Sequence, residues 1–169
     1  LLCFTVFISA AFAQYKTFIP GYTGYAVPAE DEEQTEMFSA NKGLINWTDV
    51  NQTIQYWCTV KTKGTLDISI NASSEKGATL EINTAGKIFT ISVPASKAFK
   101  FIHVGKVQVN DTGALVISIT CKKKNGKSIA AIQSLQINTG NKDQLFFNNK
   151  ERRNAASVHL MYPLHDSSK

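Results

Sequence analysis

The sequence predicts an all-β protein folded as an antiparallel β-sandwich of jelly-roll type. Three observations carry that expectation. From residue 15 onward, apolar residues recur at every second position rather than every third or fourth. The alternating runs are short, and Gly, Asn and Asp turn signals separate them. No segment shows a convincing amphipathic helical pattern. Spacing of this kind suits about eight to ten strands in two stacked sheets.

The chain opens with Leu1 to Ala13, a run that is apolar or small and uncharged, ending Ala11-Phe12-Ala13 before Gln14. This is the small-x-small pattern cut by signal peptidase. A membrane span needs about 20 apolar residues, so the run is too short to be one. Residues 1–13 are therefore expected to be part of an export signal entered partway, and the protein is expected to be secreted, either periplasmic or extracellular.

The alternation is clearest in Thr53 to Lys61, where Ile54, Tyr56, Cys58 and Val60 share one face. Gly64 opens the next strand, with Leu66, Ile68 and Ile70 alternating against Asp67, Ser69 and Asn71. A loop through Ser73 and Gly77 leads into Thr79 to Asn83, and Ala85-Gly86 turns the chain into Lys87 to Val93, closed by Pro94. Phe99 to Val109 reads as a longer strand interrupted near Gly105. Asn110 to Gly113 marks a turn into Ala114 to Cys121, and Asn125-Gly126 reads as a hairpin turn into Ser128 to Asn138. The sandwich module is thus expected to occupy residues 14–140. Residues 141–169 read as a linker with an anchoring apolar patch, Leu145-Phe146-Phe147, followed by the beginning of a further domain.

Net charge is +5, but the lysines are scattered. The densest group, Lys122, Lys123, Lys124 and Lys127, surrounds a turn, and a solvated turn explains it without nucleic acid. Beyond the signal, Cys58 and Cys121 remain, both with the parity of an apolar face. In an oxidising compartment they either form a disulfide or stay as buried free thiols, and the sequence leaves both open. No metal site is expected: there is no Cys-x-x-Cys, and His103, His159 and His165 lack ligand spacing. Ser157 and His159 have no nucleophile-elbow context, and no pair of acids suggests glycoside hydrolysis. No catalytic residue is assigned.

Three stretches together resemble a known module. Gly43-Leu44-Ile45-Asn46-Trp47-Thr48-Asp49, the strand Gln55-Tyr56-Trp57, and Gly64-Thr65-Leu66-Asp67-Ile68 with its following Gly-containing loop are similar to the bacterial domain of unknown function fifty seventy-seven. The resemblance covers roughly residues 15–138, a span of domain size. The run Arg152 to Tyr162 resembles the junction to that module's usual downstream partner, domain of unknown function thirty-four seventy-two. The resemblance implies a galactose-binding-like carbohydrate module from a glycan-degrading bacterium. It brings no catalytic residues with it.

The candidate ligand-binding residues are Trp47, Trp57, Tyr22, Tyr25 and Asp49. Trp57 lies opposite the apolar face of its strand, among Gln55, Thr59 and Lys61. An aromatic ring there either stacks on the C–H face of a sugar, with amides and carboxylates bonding the hydroxyls, or simply covers the sheet. Trp47, in a loop rich in Asn, Thr and Asp, either plugs the end of the sandwich or lines a cleft, and the plug is the preferred reading. Tyr22 and Tyr25, beside Gly21 and Gly24 in a loop-like stretch, are candidates for the same rim as Trp47. His103 shares parity with Phe99 and Phe101 and is expected to be at least half-buried. Related sandwich modules hold structural calcium through N-terminal carboxylates, which draws attention to Glu30, Asp31, Glu32 and Glu33. Four consecutive acids cannot all face one ion, so a solvated acidic turn is preferred and no cofactor is expected.

Three functions follow as expectations. The first is a secreted, non-catalytic accessory module that binds poly- or oligosaccharide and cooperates with a C-terminal domain. The second is the N-terminal part of a glycan-active enzyme whose catalytic domain lies further along. The third is an interaction domain that orients its C-terminal neighbour. None involves nucleic acid or a membrane span.

Overall fold

A computed structural model describes residues 14–28 and 36–147. The expected export signal at 1–13, the acidic run Glu30–Glu33 and residues 148–169, with the expected start of a further domain, lie outside the described residues.

The fold is an antiparallel jelly-roll sandwich, as the alternation predicts. One six-stranded sheet has the order β3 (Phe38–Ser39), β4 (Gly43–Leu44), β11 (Ala131–Thr139), β6 (Gly64–Ser74), β9 (Ser96–Val109), with β1 (Tyr15–Pro20) also pairing with β11. The second has the order β12 (Leu145–Phe146), β5 (Thr53–Val60), β10 (Gly113–Lys124), β7 (Ala78–Thr84), β8 (Lys87–Val93), with β2 (Tyr25–Val27) also pairing with β5. From β5 to β12 the chain changes sheet at every step except the β7–β8 hairpin and so winds around the core.

The inward rows are the predicted apolar ones. Ile54 and Tyr56 on β5, Leu66, Ile68 and Ile70 on β6, Leu80 and Ile82 on β7, Ile117 and Ile119 on β10, and Leu135 and Ile137 on β11 are fully buried between the sheets. Each such Leu or Ile contributes about 1.5–3 kcal/mol relative to exposure, and the β-branched members also suit extended backbone. At the β7–β8 hairpin, Ala85 and Gly86 have φ of 45° and 73°. Positive φ at both central residues is the turn that matches strand twist.

Several expectations need correction. Asn125-Gly126 does not make a hairpin: β10 and β11 belong to different sheets. After the turn, Ile129 and Ala130 drop into the core, and the Ile129 amide donates to the Trp47 carbonyl at 2.8 Å, which carries the chain across the end of the sandwich. Tyr25 is on a strand, not in a loop. His103 is exposed, with 63% of its side chain in solvent. It does share a face with Phe101, but that is the outer face. A register shift places Ile68 opposite Gly105 and Ser69 opposite His103, so the inward residues of β9 are Ile102, Val104, Val107 and Val109.

The sandwich also runs past residue 140. Leu145 is buried in the core and pairs with Val60, while the backbone amide of Lys61 donates to the Gln144 carbonyl at 2.8 Å. The expected anchoring patch is therefore a strand of the domain, not part of a linker.

Candidate functional site

On the second sheet, β5 carries its inward residues at even positions and turns Gln55, Trp57 and Thr59 outward. One edge of β5 is divided between two short strands. β2 places Tyr25 opposite Gln55, and β12 places Phe146 opposite Thr59. Trp57 lies on β5 between those two positions. Antiparallel partners share a face, so Tyr25, Trp57 and Phe146 form one outward aromatic cluster. On the other side of β5, Trp57 faces Val116 and Gln55 faces Ser118. Ser118 in turn faces Asn83, which faces Ile88.

A continuous row Tyr25–Gln55–Ser118–Asn83–Ile88 thus crosses the whole sheet, with amides and hydroxyls between an aromatic and an aliphatic end. The Lys61 ammonium lies 4.8 Å from the centre of the Phe146 ring, a cation–π distance that fixes the ring at the rim. Phe146 is half exposed, whereas Trp57 and Tyr25 are half-buried. In the row beside Asn83 and Ser118, Glu81 pairs with Lys122 at 3.1 Å. The face is otherwise uncharged and rich in both donors and acceptors, which is the chemistry that meets hydroxyl groups.

Trp57 and Tyr25, singled out in the sequence, are brought together here. The other candidates are not. Trp47 is fully buried and its indole N–H donates to the Asp49 carbonyl at 3.1 Å, so it is the plug and offers no ring face to a ligand. Asp49 is a turn residue: its Oδ1 accepts from the Asn51 amide at 2.9 Å and from the Asn51 side chain at 3.1 Å. Tyr22 sits in a 3-10 turn, Gly21–Thr23, that carries the chain from one sheet to the other, and it does not join Trp47 at a rim. Phe146 is the residue that sequence reasoning missed. Its signal was present, as an aromatic within a polar segment, but its partner strand is almost ninety residues away in sequence.

Beneath this face lies the buried core. Tyr56, directly beside Trp57, is fully buried and donates its hydroxyl to the Gly21 carbonyl at 3.2 Å, and burial drives its phenol pKa upward. Burial likewise pushes the Cys58 thiol up to about 12. Cys58 and Cys121 are free thiols. Cys58 pairs with Leu115, and Cys121 lies six residues further along β10, about 20 Å away at the usual rise. A disulfide needs Cα atoms within about 7 Å, so a shared apolar face was not sufficient. Among the described residues, no three His, Cys, Asp or Glu side chains cluster as a metal site would require.

A family model described as Domain of unknown function (DUF5077) matches residues 19–142. No curated protein matches the chain. In fold it is similar to the GH26-CBM35 β-(1,4)-mannanase of Podospora anserina, with TM-score 0.56 and 14% identity, covering 72% of this chain and 27% of that one. It is similar to the CBM36-1 domain of a multidomain xylanase from the hindgut metagenome of Trinervitermes trinervoides, with TM-score 0.54 and 15% identity, covering 73% and 96%. It is also similar to a family 35 carbohydrate binding module from Clostridium thermocellum, with TM-score 0.53 and 10% identity, covering 73% and 97%. The chain therefore spans about a quarter of the mannanase and nearly all of the two isolated modules. These likenesses establish the sandwich fold.

Proposed function

The chain belongs to the family described as Domain of unknown function (DUF5077), and from that premise we propose that it is a non-catalytic carbohydrate-binding module of an exported, glycan-active bacterial protein. The observation that carries the reading is the Tyr25–Trp57–Phe146 cluster, set beside Gln55 and Ser118 on an outward sheet face. Aromatic rings accept the apolar face of a pyranose, while the flanking amides and hydroxyls bond its rim. Export is supported by the uncharged run Leu1–Ala13 with its Ala11-Phe12-Ala13 end. That the similar solved modules are named as carbohydrate-binding adds to the proposal.

Affinity gel electrophoresis against galactomannan, xylan, laminarin and mixed-linkage β-glucan tests it. At least one polymer retards the wild type, and Trp57→Ala weakens that binding by roughly tenfold, the value of a good aromatic contact. Retardation that Trp57→Ala leaves intact refutes this site. A second reading has one observation in its favour: Phe146, half exposed at the sandwich edge, lies next to the segment leading into residues 148–169. In that reading the domain orients a C-terminal neighbour through Phe146 and shows no affinity for any glycan.

A further inference from the structure

The opposite face of the molecule, on the first sheet, carries a second outward arrangement of rings and amides. β1 lies next to β11, then β6, then β9, and the registers run continuously across all four. Phe18 faces Gln136, Gln136 faces Ser69, and Ser69 faces His103. In the next row, Pro20 faces Ser134, Ser134 faces Asn71, and Asn71 faces Phe101. Phe18 and Phe101 thus stand at opposite edges of the sheet, one row apart. Three inter-strand steps separate them by about 14 Å, and the row offset adds about 7 Å along the strands. Both are exposed, at 51% and 56%.

A buried role does not account for these rings, since the core of each strand is supplied by its other face. Between them the floor is polar and uncharged. Asn71 donates to Gln133 at 2.7 Å, a side-chain pair made where a register shift on β11 turns Gln133 outward. That bond fixes two amides in place before any ligand arrives, which lowers the cost of ordering them on binding. Charge borders the floor on one side only. Asp67 is partnered within the protein, by His103 at 2.8 Å and by Lys106 at 3.8 Å.

This composition selects the occupant. A stable protein interface buries an apolar centre with a polar rim, whereas here the order is reversed, with rings outside and amides within. Nucleic acid calls for a row of unpaired cations, which the floor lacks. A chain of uncharged sugar rings fits, with apolar faces to lie on Phe18 and Phe101 and hydroxyls for the amides between.

We infer that this face is a second polysaccharide platform, so that one module holds two extended, uncharged glycan chains on opposite sides. The inference assumes the same ligand class as the proposed function but uses none of its residues. Native mass spectrometry with mannohexaose, xylohexaose, cellohexaose and laminarihexaose counts the ligands. The expected result is two bound per chain for the wild type with at least one of these sugars, one for the Phe18→Ala/Phe101→Ala variant, one for Trp57→Ala, and none for the triple variant. Phe18 and Phe101 are exposed, so their replacement leaves the core intact, and Tm is measured for every variant to check folding. If the Phe18/Phe101 variant keeps the wild-type count and affinity while Trp57→Ala loses binding, the second platform is refuted and the first stands. If only the Phe18/Phe101 variant loses binding, the first falls and the second stands. If no sugar binds the wild type, both fall.

Discussion

Raising the pH from 8 to 10 should lower the stability of this protein, and Cys58 accounts for about 1.4 kcal/mol of that loss. The thiol is buried against β10, where it donates to the Leu115 carbonyl at 3.7 Å. Desolvation raises its pKa from 9.0 to about 12. In the unfolded chain the thiol ionises near 9, while the folded state keeps its proton. Above pH 9 the unfolded state therefore binds fewer protons, and stability falls as pH rises, levelling off beyond the folded value. Between pH 8 and 10 the loss amounts to about 1.4 kcal/mol, from one proton at about 1.4 kcal/mol per pH unit. Cys58→Ala removes the effect while costing about 1 kcal/mol in packing at both pH values. Urea unfolding followed by the fluorescence of buried Trp47 gives the four stabilities needed. The wild type should lose about 1.4 kcal/mol more than the variant over that interval. Cys121 titrates in both proteins and cancels. Equal losses in the two would refute the buried thiol, as would a thiol titration showing Cys58 joined to Cys121.

Two stability changes test the fold more directly. Ala85→Asn should stabilise by about 1 kcal/mol in urea titrations, because Ala85 holds φ of 45° before Gly86 and Asn-Gly is the preferred pair in such a hairpin. Leu145→Ala should cost about 2–4 kcal/mol, since its side chain is buried behind β5; a loss below about 0.5 kcal/mol would return residues 141–146 to the role of a linker.

The long central strands were legible because their faces differ. In β5 and β6 each outward neighbour of an Ile or Leu is polar or amphipathic, and in β10 Ser118 and Thr120 keep the alternation around Ile119 although Val116 does not, so period two announces itself. β1 was not legible in the same way: Phe18 faces solvent while Ile19 faces the core, so both faces look apolar in the sequence. The same confusion misplaced His103. Phe99, Phe101 and His103 mimic a buried row because the outer face of β9 is itself aromatic, and the shift at Gly105 changes parity halfway along. Asn125-Gly126 shows a different limit. Turn chemistry is local, whereas the choice between returning to the same sheet and crossing to the other depends on Ile129 finding space in the core. In the candidate site, Trp57 could be assigned to the outer face from parity alone. Its partnership with Tyr25 and Phe146 could not, because it depends on where β2 and β12 dock.

That docking connects the fold to both proposed surfaces. β5 and β11 each offer one long edge, and each edge is shared by two short segments: β2 and β12 on β5, β1 and β4 on β11. Phe18, Tyr25 and Phe146 all come from these segments, while the polar floors come from the long central strands. Short edge segments bury little area and hold few ladder bonds, so they open at lower free energy than the centre of a sheet. Three of the five rings therefore sit on the least secured strands, while Trp57 on β5, Phe101 on β9 and the amides sit on long, well-paired ones. A ligand spanning ring and floor would tie the two together and stabilise the edges in proportion to its occupancy. The position of the rings in the topology, not merely their exposure, makes ligand binding and edge-strand order two descriptions of the same equilibrium.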